Sequence, residues 1–502
     1  MSFLLLFIVV SFQLRSQILP KDSSSLNYRI VGFSFPADAD CKNYKIEIAT
    51  GNYTNEDSFA KRIILSQVSK TNKLIAEVPS FGSYYTWRIV YARNKKSALY
   101  HFRTTLSKDV DTTITRLNIM QPAETYKDAY VGIDGSGVIY DMKGNPVWCI
   151  PDSDKFNNVV GDMKFTPQGT ITYLVDQTGY EINYTGQRLW KTPSYPVDTG
   201  TGFYHHELTR LANGHYMMLG TEFFWYSKVK TKDTSYFVTV ADTVKHDKYT
   251  GMVGSAFSEA PGAKNRGRYG TIVELDENGK IVWYWKSSKY LNSSDYVNYW
   301  PQDVSQRYEP HENAFWFDEK NKVVYLSYRN LNRIIKIDYQ SGKVLNTYGE
   351  IYKRGVLPSK SNGLYCNQHG IRRSQDGYIY LFNNNLCQYS DPRPSVIMMR
   401  EPASEKDTLK TVWEYKCDAD KYKRGFYSGG IGIELPDRSM FICLGSDYAK
   451  LMIVNRDKKT LWSALPETYS KDRKTWEPSG KIYRANLITR KDLERLIWSS
   501  LN

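Results

Sequence analysis

HENAFWFDEKNKVVYLSYRNLNRIIKIDYQSGKVLN (311–346) is one complete unit of a repeating pattern. An apolar opening segment meets the polar turn DEKN, and a second apolar segment follows. A third segment ends in Asp338, and a turn at Gly342 leads into the closing one. Short stretches rich in β-branched and aromatic residues, broken by polar turns, read as antiparallel strands. The same order recurs from roughly Leu117 onward. Its first turn is TPQG at 166–169, LANG at 211–214, DEKN at 318–321, SQDG at 374–377 and LPDR at 435–438. Its closing strand is GNPVW to Trp148, GQRLW to Trp190, GKIVW to Trp283, KTVW to Trp413 and KKTLW to Trp462, while GKVLN puts Asn346 at that position. A fixed order of elements repeated along a chain marks a repeat architecture. Six units of four short strands predict an all-β chain built on a six-bladed β-propeller, in which radial closure removes exposed edges and the closing-strand aromatic wedges adjacent blades. A parallel β-helix would need shorter, more regular coils.

Spacing between closing positions is uneven, 42 residues from Trp148 to Trp190 and then 93 to Trp283. The excess, about 225–268, is an insertion in the third unit, and its basic stretch GAKNRGRYG could cover the channel or form a surface hairpin. Ahead of the repeats, residues 25–107 carry YRIVGFSF, YKIEIAT, KRIILSQV, KLIAEVP, YYTWRIVYA and ALYHFRT, which predict a small immunoglobulin- or fibronectin-like β-sandwich. The polar stretch 107–115 is the expected linker, the propeller is expected over 117–467, and 468–502 is a C-terminal extension. Within it RKDLERLIW (490–498) has helical spacing of Leu493, Leu496 and Ile497, and is expected to pack outside the propeller.

The chain of 502 residues is too long for one ordinary core, and its 41% hydrophobic and 14% aromatic content suits several β-rich ones. FLLLFIVV (3–10) is too short to span a bilayer and has the length of a secretory h-region, so residues 1–17 are expected to be a signal peptide and the protein exported. No later run approaches membrane-spanning length. The net charge of +14 is spread along the chain without a basic run flanked by stacking aromatics, which argues against a nucleic-acid partner. Six cysteines contain no CxxC, so zinc-ribbon and thioredoxin-like readings have no support. Cys366 with Cys387, or Cys417 with Cys443, could pair; buried free thiols are the alternative. No feature sets an oligomeric state.

Only seven histidines occur, and three of them open successive units: His206 in HHELTRLANG, His311 in HENAFWFDEKN and His369 in QHGIRRSQDG. In a propeller the first strand of each blade lines the channel, so these imidazoles are expected to converge. Arg329 in VVYLSYRN lies one strand beyond His311, LFNNN supplies Asn383, Asn384 and Asn385, and the sixth unit opens on Gly429 and Gly430, leaving room. Three readings compete. Three imidazoles and a water can hold zinc, although Arg329 would repel a cation. Imidazoles and a guanidinium can instead hold a sulfuryl or phosphoryl group while one neutral imidazole attacks it. The histidines can also be structural. Glu207 and Glu312 should alternate to the other side of their strands. Among the aromatics flanking these strands are Phe203, Tyr204, Trp225, Tyr299, Trp300, Tyr308 and Tyr365, of which two or three are expected to meet a ligand.

HHELTRLANGHYMML, TIVELDENGKIVWYWK, the 311–345 unit and QHGIRRSQDGYIYLFNNN resemble the bacterial arylsulfate sulfotransferase family, closely over about 200–390 and loosely over the whole propeller. The resemblance implies a small N-terminal β-domain, a six-bladed propeller and sulfuryl transfer from a phenolic sulfate ester to an acceptor phenol, with no nucleotide sulfate and no cofactor or metal. The H-x-N motif is matched by His311 and Asn313, the family arginine by Arg329 and the QH motif by Gln368–His369. By this resemblance His369 is the nucleophile that becomes sulfated, while His206, His311 and Arg329 stabilise the sulfuryl charge. His205, Asn313, Asn384, Tyr308 and Tyr365 are then expected around the substrate, with His205 competing with His206 for the first histidine position. The family's closely spaced disulfide has no expected counterpart, since no two cysteines lie within ten residues. LFNNN also replaces a more usual acidic form of that strand end. A non-catalytic propeller that binds anionic aromatics and a histidine–metal hydrolase or lyase are the alternatives.

Overall fold

The computed structural model describes residues 17–152, 159–193, 201–230, 236–240, 264–291, 310–349, 363–386, 391, 393–403, 408–418, 428–445, 450–479 and 482–501. The chain is all-β and divides into two compact units, Met1–Ser107 with Ile497–Asn502, and Lys108–Leu496. In the smaller unit one sheet runs Ser24–Leu26, Tyr100–Thr104, Tyr84–Val90, Tyr44–Thr50 and Ile63–Ser69, and a second pairs Ile30–Ser34 with Lys73–Glu77. Val31 and Phe33 of the second sheet and Ile46, Ile48, Trp87 and Phe102 of the first are buried, so the two sheets share one core. Phe33 of the second sheet meets Trp87 of the first edge-on at 4.9 Å.

In the larger unit the described residues form six antiparallel sheets. The second takes Gly161–Phe165, Ile171–Val175, Thr178–Ile182 and Arg188–Lys191; the fourth takes Glu312–Asp318, Val323–Tyr328, Arg333–Asp338 and Val344–Gly349. The fifth has His369–Arg373, Ile379–Asn383, Ser395–Arg400 and Lys410–Lys416 in the same order. In the third, Thr201–Arg210, Tyr216–Lys230, Lys264–Leu275 and Ile281–Lys286 follow one another, with Tyr236–Val240 added on Tyr216–Lys230. The excess length of this unit is therefore partly strand: Tyr216 to Ser227 pairs in register with Leu275 to Lys264.

The remaining two sheets are completed by segments distant in sequence. Ala485–Ile488 joins Tyr130–Ile133, Val138–Asp141 and Pro146–Cys149 in the first sheet. Thr115–Gln121 joins the sixth sheet along Thr460–Ser470, which also carries Thr475–Pro478. The sheet in which a strand lies is thus not always its sequence neighbour's, because the row of unpaired peptide groups at each edge must find a partner.

The closing-strand tryptophans join each sheet to the next. Trp148 Nε1–H donates to Tyr184 O at 2.7 Å, Trp283 to Tyr339 O at 2.8 Å, Trp413 to Arg456 O at 2.9 Å and Trp462 to Met142 O at 3.3 Å. These acceptors lie in the turn after the third strand of the following sheet, and the last of them leads from the sixth sheet back to the first. Trp190 instead stacks on Tyr216, ring centroids 3.6 Å apart. Where Asn346 replaces tryptophan, Glu401 of the fifth sheet accepts from Tyr325 at 2.8 Å, Lys336 at 2.9 Å and Tyr348 at 2.6 Å in the fourth. Apolar clusters fill the spaces between sheets; one of them runs from Met217, Leu219 and Ile272 to Phe315, Val324 and Ile335. Each buried aliphatic or aromatic side chain there contributes about 1.5–3 kcal/mol.

The helix Arg490–Ser500 is counted with the larger unit up to Leu496. Its end, from Ile497, belongs to the smaller one, where Ile497 and Leu501 cover Gly32 so closely that any side chain at 32 would collide with them. Cys417 and Cys443 are both buried free thiols, so they do not pair, and Cys41 and Cys149 are free as well.

Candidate active site

Each opening strand of the second to fifth sheets carries a register shift near its start, between Gly161 and Lys164, His205 and Leu208, Glu312 and Ala314, and His369 and Arg372. A bulge adds an unpaired residue and re-aims its side chain. Asp162, His206 and Gly370, within these shifts, have left-handed φ values of 50°, 59° and 59°, and His311, just before its strand, has 61°. An ordinary residue adopts that conformation only where its surroundings impose it.

The predicted residues converge in large part. His206 and His311 have ring centroids 5.0 Å apart. Arg329 follows the second strand of the same sheet, and its backbone N–H donates to His311 O at 2.9 Å. Its guanidinium meets Asn330 Oδ1 at 2.6 Å. His369 is 1% exposed. Its Nδ1 lies 2.7 Å from Asn384 Oδ1, and its Nε2 accepts the Gly429 N–H at 3.2 Å. Since Asn384 Oδ1 can only accept, the proton is on Nδ1 and the lone pair on Nε2. Burial, then the charge of Arg329, holds the His369 imidazole well below its ordinary pKa. His206 is lowered in the same way by burial, then by His205, His311, His369 and Arg484. Both rings are neutral near pH 7, the state in which a ring nitrogen can attack or accept a proton.

Asn384 also donates to Gly429 O at 3.1 Å, and so spans His369 and the glycine turn before the sixth sheet. Asn313 donates to Gln368 O at 2.7 Å, a bond that ties the His311 strand to the residue before His369. Gln368 itself donates to Ser327 Oγ at 3.0 Å and Tyr328 O at 3.1 Å.

Other expected residues are placed differently. His205 has both ring nitrogens engaged, Nδ1 with His206 Nδ1 at 2.6 Å and Nε2 with Gly220 O at 3.2 Å, so it backs His206 instead of competing with it. Tyr365 is 3% exposed, inside an apolar cluster with Ala314, Ile334 and Ile371, and is a core residue because its strand-side neighbours bury it from both sheets. Tyr204 is likewise core. Tyr308, Tyr299 and Trp300, and the side chains of Phe203 and Trp225, lie outside the described residues. Cys366 is disulfide-bonded, three residues before His369, so a covalent tie does adjoin the site; Cys387, the one remaining cysteine, lies outside the described residues.

Two site residues escaped the sequence reading. Tyr483, just before the strand Ala485–Ile488, sets its ring edge-on to His206 at 5.6 Å and to His369 at 5.9 Å. Its hydroxyl donates to Asn313 O at 3.2 Å. The adjoining Arg484 is buried, donating through Nη1 to Glu207 at 2.6 Å and to Asp162, and through Nη2 to Asn313 O at 3.1 Å. Glu207 also receives Arg372 at 3.0 Å and Lys164. These three cations hold its carboxylate below the usual range in spite of burial. Asp134 accepts N–H groups from Tyr483 at 2.9 Å, Arg484 at 2.8 Å and Asp162 at 3.1 Å, yet burial pushes its carboxyl up to about 8. The signal that could have found the pair was the unassigned polar–apolar stretch YRANLI at 483–488, a strand with no turn partner nearby.

Bulged opening strands from several sheets bring neutral imidazoles beside a guanidinium, groups that can hold a small anion by hydrogen bonds and charge. Residues 104–253 and 241–460 match the arylsulfotransferase (ASST) family, well over half of the chain, and the protein belongs to that family. Among curated proteins none matches significantly. Solved structures that resemble it include a protein of unknown function from Bacteroides caccae, 12% identical, covering 72% of this chain and 99% of that one with a TM-score of 0.40. An auxiliary nutrient binding protein from Bacteroides ovatus is 10% identical over 93% and 89% of the two chains, TM-score 0.33. A periplasmic gluconolactonase from Pseudomonas aeruginosa is 12% identical over 75% and 99%, TM-score 0.32. Likenesses this loose do not bear on activity.

Proposed function

We propose that the protein is a sulfotransferase that moves a sulfuryl group from a phenolic sulfate ester to an acceptor phenol through a sulfated His369, on a six-bladed β-propeller, without nucleotide sulfate. The observation that carries this reading is the tautomer of His369: Asn384 fixes its proton on Nδ1 and leaves the Nε2 lone pair facing Gly429 N–H. In the first half-reaction Nε2 attacks sulfur, the ester S–O bond breaks, and the phenolate leaves with its electron pair. In the second, the acceptor oxygen attacks the same sulfur and the N–S bond returns its pair to Nε2. Between them the imidazole is N-sulfated and its Nδ1–H remains on Asn384. Arg329 and His311 offset charge on the sulfuryl oxygens, and the Gly429 N–H, displaced from Nε2, donates to one of them. The closed cycle of contacts from the first sheet to the sixth and back supports the propeller reading. The N-terminal run FLLLFIVV supports export, with the small unit travelling as an immunoglobulin-like module.

Purified protein treated with 4-nitrophenyl sulfate is expected to gain one sulfuryl mass on a peptide containing His369, and to release 4-nitrophenol in proportion to added phenol, with or without chelator. His369→Ala is expected to keep the wild-type melting profile and lose both the adduct and transfer. An adduct that persists in that variant overturns the nucleophile assignment. Turnover abolished by chelator points instead to a metal hydrolase.

A further inference from the structure

His205 and His206 are consecutive residues of one strand, and in a regular strand their side chains would project from opposite faces. The register shift between His205 and Leu208, with His206 at φ 59°, brings the two rings edge-to-face instead, centroids 4.7 Å apart. The hydrogen-bond partners fix the protons. Gly220 O only accepts, so His205 Nε2, 3.2 Å away, carries a hydrogen. A neutral imidazole has one N–H, so His205 Nδ1 is a lone pair. His206 Nδ1, 2.6 Å from it, must then supply the hydrogen, which leaves His206 Nε2 as a lone pair away from His205. The His206 ring neighbours His311 and Tyr483, and Tyr483 in turn neighbours His369.

We propose that His205 and His206 form a two-imidazole proton relay: His206 Nε2 takes the phenolic proton of the acceptor and returns it to the departing phenolate of the next donor, and His205 holds His206 in the required tautomer. The proposal rests on the sulfuryl-transfer reading and assigns His206 a role other than binding sulfuryl oxygens. During acceptor attack the phenol O–H bond breaks, its proton goes to His206 Nε2, the new S–O bond forms and the His369 N–S bond breaks. His206 then bears Nδ1–H and Nε2–H. Its Nδ1 proton can shift to His205 Nδ1, which places the charge on a ring anchored by Nε2–H to Gly220 O. During donor attack the leaving phenolate takes a proton from His206 Nε2, and the pair returns to neutrality. One proton thus passes from acceptor to released phenol in each turnover. His205 acts through His206 and is a positioning residue, as the orienting acid is in a hydrolase triad.

The tautomer is testable without turnover. ¹⁵N-histidine-labelled protein is expected to show a two-bond N–N coupling between His205 Nδ1 and His206 Nδ1, with Nε2 of His205 protonated and Nε2 of His206 not. Absence of that coupling overturns the relay. In kinetics with 4-nitrophenyl sulfate, whose phenolate needs no acid, His205→Phe is expected to lower transfer to phenol at least tenfold more than it lowers the burst of 4-nitrophenol. That size follows from general base contributions of about 10²–10⁴-fold. His205→Gln, whose Oε1 accepts from His206 Nδ1–H, is expected to restore most of the loss. Equal effects on burst and transfer, or equal losses in the Phe and Gln variants, overturn the proposal. A wild-type protein that gives no burst refutes the sulfuryl-transfer reading instead, and the ¹⁵N coupling still decides the relay.

Discussion

Asn384 determines which nitrogen of His369 is available, and it does so from a strand end that the sequence marked only by the run LFNNN. Replacing it with leucine removes the nearer acceptor for Nδ1–H and leaves Asn367 O at 3.2 Å, so the ring is held less firmly in its tautomer and orientation. Asn384→Leu is expected to lower kcat about 10–100-fold with a smaller change in KM, the size of effect seen when an orienting partner of a reactive imidazole is lost. Steady-state kinetics would show it. The histidines themselves were legible because a rare residue type recurred at unit starts. Tyr483 was not, because tyrosine is the commonest aromatic here, 40 residues, and the one mark of its place between two imidazoles was the unassigned stretch YRANLI. The depressed pKa values of His206 and His369 also have a stability consequence. Their folded values lie below the unfolded value of about 6.5. The unfolded chain therefore takes up protons first as pH falls, and the stabilisation present above that value is lost toward each folded pKa. The urea midpoint is expected to drop between pH 7 and 5, and to drop less steeply in His369→Asn.

At the level of elements, the opening strands are fixed by charges that sit behind the histidines. Arg484 draws Asp162, Glu207 and Asn313 together, from strands of the second, third and fourth sheets. Arg372 adds the fifth sheet through Glu207. Glu207 is one residue from His206, and Asn313 two from His311, so the spacing of the imidazoles depends on this network. Arg484→Met leaves Asp162 and Glu207 buried with fewer cations, and breaking such a pair costs about 3–5 kcal/mol. The expected result is a lower midpoint in denaturant at unchanged slope; a loss below about 1 kcal/mol would mean that Lys164 and Arg372 suffice. Alternation of Glu207 away from His206 was readable from strand geometry, but its partners were not. An ion pair between residues as far apart in sequence as Glu207 and Arg484 leaves no local pattern. The closing-strand tryptophans were legible for the opposite reason: they repeat at one place in the unit, where Trp148, Trp283, Trp413 and Trp462 each give their N–H to a carbonyl of the next sheet and Trp190 stacks on Tyr216.

For the larger unit as a whole, both ends of the chain are woven into sheets they do not begin. Thr115–Gln121 pairs with Thr460–Ser470, and Ala485–Ile488 pairs with Tyr130–Ile133. Repeat counting rested on recurring turns and tryptophans, and it placed the last strand in an extension because that strand stands alone, without a turn or a tryptophan; the structure pairs it into the first sheet. Two changes separate the latch strand from the other ties between the sixth sheet and the first. Trp462→Phe removes the Nε1–H donated to Met142 O and one ring of a fully buried indole, so it should cost about 1–3 kcal/mol. Removing residues 482–502 strips a whole strand from the first sheet, exposes the edge Tyr130–Ile133 and deletes both Tyr483 and Arg484. That chain is expected to lose its cooperative thermal transition and to be recovered chiefly as aggregate, as an unpaired apolar edge strand directs. Restoring the segment as a separate 482–502 peptide should return a measurable part of the transition, since strand addition needs only the edge and the peptide. Cooperative melting of the truncated chain at the full-length temperature would show that the sheets are held together by their inter-sheet cores alone.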